Sequence, residues 1–171
     1  MSDTYYVKTF GGLEITNDNV TVNIVELFGK QLVNLLQVLL FHSEKPVQKD
    51  ELIDILWPES KNPSSALKFS IFRLRAELNE IEFFKDKEVI VTTRKGYILN
   101  PNLDWNIDFV ELEKAYNQIN DGSELLDEKE FKTARKIFRL YQGRFYASPS
   151  QLHWILQKQE IFRQMLSLIH I

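Results

Sequence analysis

The amino-acid sequence predicts an α+β fold in which a small antiparallel sheet precedes helices and a hairpin, with an all-α segment after them. Strand-like runs fill the first 28 residues, apolar stripes with helical spacing follow to residue 78, and Asn100-Pro101-Asn102 interrupts the chain before a purely helical pattern. A chain of 171 residues has room for one or two domains. The sequence therefore predicts two domains, residues 1–102 and residues 103–171.

Three runs near the N-terminus have the composition and alternation of strands. Residues 5–10 are rich in aromatic and β-branched side chains and end at Gly11-Gly12. Residues 13–16 and 20–25 alternate, and Asn17-Asp18-Asn19 between them is typical of a turn. These runs predict a small antiparallel sheet.

Three helices are predicted next. The second covers residues 49–57, because the residue before Pro58 is disfavoured in a helix. Asn62-Pro63 is typical of a helix entrance and begins a third helix of about 16 residues. The apolar stripes of the first and third helices are Leu32, Leu35, Leu36, Leu39 and Leu40, and Leu67, Ile71, Leu74 and Leu78.

A basic hairpin is predicted after the third helix, where β-rich runs flank Arg94-Lys95-Gly96. Residues 1–102 contain 12 Lys/Arg and 14 Asp/Glu, yet segments 61–75 and 89–103 contain six cations and no acid. Basic patches on an acidic body are expected if they face phosphates. An ordinary solvated surface explains the charge alone equally well.

The order of these elements decides between the two explanations. A sheet, three helices of which the last is basic, and a hairpin with a basic tip follow one another as in a winged helix-turn-helix. In that geometry the third helix enters the major groove, and the hairpin, or wing, lies on the backbone or the minor groove. Both positions require cations.

Two stretches resemble a known family. Residues 70–78 and 91–99 resemble the DNA-binding domain of OmpR/PhoB-type response regulators, with its Arg-Leu-Arg-x-x-Leu helix and a wing that ends in Gly-Tyr. Residues 52–58 end in Leu-Trp-Pro, which is common in the SARP-type branch of antibiotic regulatory proteins. The resemblance implies that a helical, TPR-like bacterial transcriptional activator domain follows.

The beginning of such an activator domain is recognisable in residues 103–171. Residues 108–112 resemble its opening, residues 140–146 resemble its Leu-Tyr-x-Gly-x-Phe element, and Trp154 and Glu160 correspond to its Trp … Glu helix. The segment is shorter than the array of helical hairpins in the family. We therefore expect a partial activator domain and, as is usual in the SARP-type branch, no phosphoacceptor receiver domain ahead of the winged helix.

Eight residues are candidates for DNA contact. The resemblance places Arg73 where the family most often contacts bases, and a salt bridge to Glu77 is the alternative. For Arg75, phosphate contact and a structural role that holds the helix to the body are equally open. Asn62 and Ser64 are as well suited to helix capping as to phosphate contact. The full set is Asn62, Ser64, Ser65, Lys68, Arg73, Arg75, Arg94 and Lys95.

Phe69 and Phe72 depart from the family pattern, since they lie off the apolar stripe where response regulators more often have polar or basic residues. They have three possible uses: contact with thymine methyl groups, packing on the second domain, or contact with a dimer partner. Of these we expect packing. Gly96 and Tyr97 have structural roles, in turn geometry and in core packing.

Catalytic and metal-binding patterns are lacking in the sequence. Cysteine is absent, and His42, His153 and His170 are scattered without metal-ligand spacing. The sequence contains no phosphate-binding loop and no nucleophile elbow. Asp50, Glu51 and Asp54 are most simply solvated charges. We expect no enzymatic activity, no metal and no cofactor.

Targeting patterns are lacking as well, because no apolar run approaches a membrane span and the N-terminus lacks the features of a signal peptide. The net charge of −3 argues against a wholly basic nucleic-acid coat protein. The sequence predicts a sequence-specific DNA-binding transcriptional regulator in the bacterial cytoplasm, associated with the nucleoid when bound. Its expected partners are double-stranded DNA and RNA polymerase or other transcription machinery, with a second copy of the chain as a further candidate, and no membrane. The alternative is a protein-interaction module whose winged helix has lost DNA reading.

Overall fold

The computed structural model describes residues 4–9, 12–111 and 114. Its N-terminal sheet is formed by β1 (Thr4–Lys8), β2 (Glu14–Asn17) and β3 (Val20–Asn23), which pair antiparallel in sequence order. Val7 lies opposite Ile15, and both side chains are buried because alternate residues of a strand face the core. The predicted antiparallel sheet is confirmed.

The third strand is shorter than predicted. It ends at Asn23, whose side chain accepts a hydrogen bond from the backbone N–H of Glu26 (3.3 Å) and caps a helix, α1 (Ile24–Leu27). The side chain of Ile24 then faces the core instead of continuing the alternation of the strand. The prediction of a strand through Val25 is wrong, because an asparagine cap followed three residues later by glutamate favours a helix start.

Three longer helices form the centre of the molecule, as predicted. They are α2 (Lys30–Phe41), α3 (Lys49–Leu56) and α4 (Pro63–Asn79). All nine residues of the two apolar stripes are buried in one continuous core. Helix α2 is buried on every side from Leu32 to Phe41, since it is packed between α1, α3, α4 and the hairpin. Helix α3 ends before Pro58, with Trp57 as its C-cap.

The predicted hairpin consists of β4 (Ile90–Thr93) and β5 (Gly96–Leu99). A short 3-10 helix, Glu82–Phe84, links it to α4. Val47, between α2 and α3, exchanges two backbone hydrogen bonds with Tyr97 of β5 (2.8 and 3.0 Å). This bridge fastens the hairpin to the helices, and Tyr97 is buried as expected.

A further strand follows the hairpin, and it corrects the prediction that the pattern after residue 102 is helical only. This strand, β6 (Asp104–Ile107), pairs parallel with β1, so the sheet order is β3-β2-β1-β6. Beyond it, Phe109 is buried with its ring centroid 4.4 Å from that of Phe41. The side chain of Asp108 accepts hydrogen bonds from the backbone N–H and the hydroxyl of Thr9. The N-terminal sheet and core therefore include residues beyond 102.

The α+β class and the winged helix are confirmed for the described residues. A helix begins at Asp108 and is described as far as residue 111. The helices predicted beyond it, the 140–146 element, and Trp154 and Glu160 lie outside the described residues, so the TPR-like segment and the division at 102 stay predictions. Among the described residues, no helix is long and apolar enough to cross a membrane. In that same part of the chain, no group of acidic, histidine or cysteine side chains has the arrangement of a metal site.

Candidate nucleic-acid interface

Helix α4 has one face in the core and one face in solvent. Leu67, Ile71, Leu74 and Leu78 are buried and fix the rotation of the helix. Because helical faces repeat every 3.6 residues, the residues on the opposite side of the helix project outward. The predicted DNA-contact residues on this outward face are exposed, and so are both phenylalanines: Ser65, Lys68, Phe69, Phe72 and Arg73.

The N-terminal end of α4 is open to solvent. Asn62 is the N-cap, but its side chain makes no capping hydrogen bond within the described residues, and Pro63 follows in the first turn. The backbone carbonyl of Asn62 accepts the first helical hydrogen bond, from Ala66 (3.1 Å). The side chains of Asn62, Ser64 and Ser65 are exposed. Of the two roles considered for Asn62, side-chain capping is not formed here.

Arg73 forms the predicted salt bridge and is still accessible. Its Nη2 lies 3.0 Å from Oε1 of Glu77, and its guanidinium lies 6.0 Å from the ring centroid of Phe69. The side chain of Arg73 is 53% exposed. A pair this exposed is weakly held, so the guanidinium can exchange Glu77 for another partner at little cost. Lys68 is exposed and has no ion-pair partner in the part of the chain described.

Arg75 has the contacts of the structural role. Its Nε and Nη2 donate to the backbone carbonyl of Ile90 (3.3 and 3.1 Å), and Nη2 also donates to Oγ1 of Thr92 (2.6 Å). Its guanidinium also lies 5.9 Å from the ring centroid of Tyr97. Arg75 thus joins α4 to both strands of the hairpin and fixes the angle between helix and wing.

The tip of the wing is a two-residue turn that presents Arg94 and Lys95. Thr93 pairs with Gly96 across the turn, and its hydroxyl oxygen accepts from the N–H groups of Lys95 (3.1 Å) and Gly96 (3.2 Å). Gly96 has a φ of +141°, and a Cβ there would overlap the carbonyl oxygen of Val47. Only glycine fits this position. Arg94 and Lys95 are exposed.

Charge separates this surface from the rest of the described chain. The six cations of segments 61–75 and 89–103 lie on α4, on its entrance and on the wing, and Arg75 connects the two elements. The acids nearest along the helix begin at Glu77, which pairs with Arg73. Asp50, Glu51 and Asp54 on α3 are exposed, as predicted. Helix and wing together form a cationic surface suited to a polyanion.

Some contributors to this surface were missed by the sequence analysis. Thr92 receives Arg75, which no local pattern reveals because the two are 17 residues apart. Thr93 organises the wing turn, and a threonine hydroxyl that accepts from the N–H two residues later is a recognisable turn signal. Phe69 and Phe72 are 61% and 70% exposed. Their expected packing partner, the second domain, lies outside the described residues, so that expectation stays a prediction.

Comparison with known proteins agrees with this geometry. Residues 23–99 match the family described as "Transcriptional regulatory protein, C terminal". This is a family of DNA-binding domains of transcription regulators, not an enzyme family. The match confirms the resemblance seen in residues 70–78 and 91–99. No curated protein matches.

Two solved structures are similar. EmbR of Mycobacterium tuberculosis, determined in complex with a low-affinity phosphopeptide, superimposes with a TM-score of 0.65 at 17% identity over 98% of this chain. The chain spans 43% of the length of that EmbR chain. The DNA-binding domain of Escherichia coli CadC matches 54% of this chain and 87% of its own, with 25% identity and a TM-score of 0.41.

Proposed function

We propose, from the premise that residues 23–99 form a winged helix of the transcriptional regulatory protein C-terminal family, that this chain is a sequence-specific DNA-binding transcriptional regulator. Helix α4 reads the major groove, and the wing lies on the backbone or in the minor groove. The observation that carries the proposal is the Arg75 link. It sets a basic helix and a basic hairpin tip into one fixed cationic surface.

Each candidate has a role that follows from its position. Arg73 contacts a base, because its guanidinium is exposed and held only by one surface pair, and arginine matches the two acceptors of guanine. Lys68, Arg94 and Lys95 contact phosphates. Asn62, Ser64 and Ser65 donate to a phosphate at the N-terminal end of α4, where the backbone N–H groups also point. Arg75 acts through the link to the wing rather than by reading a base.

The test is selection of a target from random duplexes, followed by Arg73→Ala. Loss of one base contact should weaken the selected duplex by about 1–3 kcal/mol, or roughly 5- to 150-fold, and relax selectivity at one base pair. Binding to random duplex should change much less. Lys85→Ala, which removes an exposed cation away from α4 and the wing, is the matched control. Absence of any duplex binding at low salt would refute the proposal.

One observation favours the alternative, a protein-interaction module. An apolar groove lies between β3, α1 and the segment after α4, with exposed Val20 (54%) and Leu27 (60%) along it and Glu77, Glu80 and Glu82 around it. In a DNA-binding regulator the same groove suits a contact with RNA polymerase, other transcription machinery or a second copy. Leu27→Ala should then leave duplex affinity unchanged but reduce transcription from a reporter. If the chain is only a protein-interaction module, Arg73→Ala should leave its binding to the protein partner unchanged.

As a regulator of bacterial genes, the protein works in the cytoplasm, at the nucleoid when bound. A surface with so few phosphate contacts binds weakly at physiological salt, so two or more copies are expected to occupy neighbouring half-sites.

A further inference from the structure

The outward face of α4 has an apolar centre with cations beside it. Phe72 is 70% exposed and Phe69 is 61% exposed, although an aromatic ring in water loses the free energy that burial would provide. Lys68 and Arg73 lie beside them, and segment 61–75 contains no acid. A surface that is apolar in the middle and cationic around it matches a polyanion that has apolar groups between two rows of negative charges.

The two rings differ in what they already contact. Phe69 lies under the guanidinium of Arg73 at 6.0 Å, so it helps to orient that side chain. Phe72 makes no ring or cation contact among the described residues, and it is the most exposed large apolar side chain there. Phe72 is therefore free to bury its ring on a ligand without breaking a contact in the protein.

The thymine methyl group is the one apolar group on base edges in the major groove, and phenylalanine is among the side chains that contact it. We infer that Phe72 is a specificity-determining residue that packs on the 5-methyl group of a thymine, next to the base read by Arg73. The inference rests on the proposed function. It adds that the target contains a thymine recognised by its methyl group and not by a hydrogen bond.

Deoxyuracil isolates this contact, because it pairs like thymine and lacks only the methyl group. The experiment uses the full chain and a duplex selected from a random library, with each thymine replaced in turn by deoxyuracil. Burial of one methyl group is worth about fourfold in Kd. We expect about fourfold weaker binding at one or two thymines for the wild type, and no such loss for Phe72→Ala. Tyr6→Ala, which removes an exposed aromatic ring from β1 and not from α4 or the wing, should behave as the wild type.

Three outcomes would overturn the inference. If deoxyuracil has no effect at any position, or has the same effect on Phe72→Ala, no methyl group is read by Phe72, while DNA binding itself stands. If Phe72→Ala converts an oligomer of the DNA-free protein into a smaller species and weakens binding to all duplexes alike, the ring contacts a second copy instead. If no duplex is selected and random duplex is not bound at low salt, the inference and the proposed function fail together. Unchanged thermal unfolding confirms that the exposed Phe72 is replaceable without loss of the fold.

Discussion

The cations of the wing provide the most direct test of the DNA surface. Arg94 and Lys95 are exposed at a turn whose geometry is fixed by hydrogen bonds from the backbone N–H groups of Lys95 and Gly96 to the hydroxyl oxygen of Thr93. Replacing the Arg94 and Lys95 side chains by alanine should therefore not disturb the fold. In the described part of the chain neither has an ion-pair partner. Any loss of affinity in Arg94→Ala/Lys95→Ala therefore reports a contact with the ligand.

The magnitude follows from counterion release. If Lys68, Arg94 and Lys95 each neutralise one phosphate, log Kd rises with log salt with a slope of about 2.7, or roughly 40-fold between about 50 and about 200 mM salt. Removal of the two wing cations leaves one phosphate contact and lowers the slope to about 0.9, or roughly 3.5-fold over the same range. The assay is fluorescence anisotropy of a labelled random duplex at a series of NaCl concentrations.

The control carries the same change of charge elsewhere. Lys8→Ala/Lys85→Ala removes two exposed lysines that lie neither on α4 nor on the wing. It should leave the slope near that of the wild type. The reasoning is refuted if the wing variant keeps the full slope, or if the control flattens it equally, because the effect would then reflect net charge and not position.

Three further predictions concern the support of this surface, each checked by denaturant unfolding. Arg75→Ala removes three hydrogen bonds made by a half-buried guanidinium and should lower the free energy of unfolding by about 2 kcal/mol. The variant should also bind duplex DNA more weakly because the wing is loosened, and Arg75→Lys should not restore that binding. Unchanged stability would contradict the link between α4 and the wing. Gly96→Ala should lower the free energy of unfolding by more than about 3 kcal/mol, because the alanine Cβ would overlap the carbonyl of Val47 and the backbone has a positive φ there. A variant of unchanged stability would show that the wing can move away from Val47. Leu74→Ala leaves a cavity in the core and should cost about 2–5 kcal/mol, whereas Ala76→Ser, on the exposed side of the same helix, should cost little.

Local patterns in the sequence predicted most of the fold. The stripe from Leu67 to Leu78 placed one face of α4 in the core, and the residues on the opposite face, among them Lys68 and Arg73, therefore faced outward. Capping chemistry also marks α1, but a helix of four residues is too short to produce a periodic stripe. The alternation of residues 20–25 therefore predicts a strand through Val25 where the structure has a helix. The long helix α4 was predicted correctly and the short helix α1 was not, because only α4 has enough residues to show a periodic pattern.

Pairings between distant residues were beyond the reach of that reasoning. Strand β6 has its partner, β1, far away in the sequence, and four residues without strong alternation carry no local signal. The role of Arg75 was left open for the same reason, since it depends on where the carbonyl of Ile90 points after folding. For the site, the sequence indicated which cations are exposed, and tertiary contacts determined which one is structural.

The parallel pairing of β1 with β6 also decides what folds as a unit. Thr4 and Asp104 are joined by a hydrogen bond across 100 residues of chain, so this pair closes a long loop and is expected to form late in folding. A fragment limited to residues 23–99 would lose Tyr5, Val7 and Ile107 from the core. One that ended before β6 would leave β1 as an unprotected edge, ready to pair with another molecule. A recombinant domain that keeps the whole sheet and core must begin ahead of β1 and extend past Phe109.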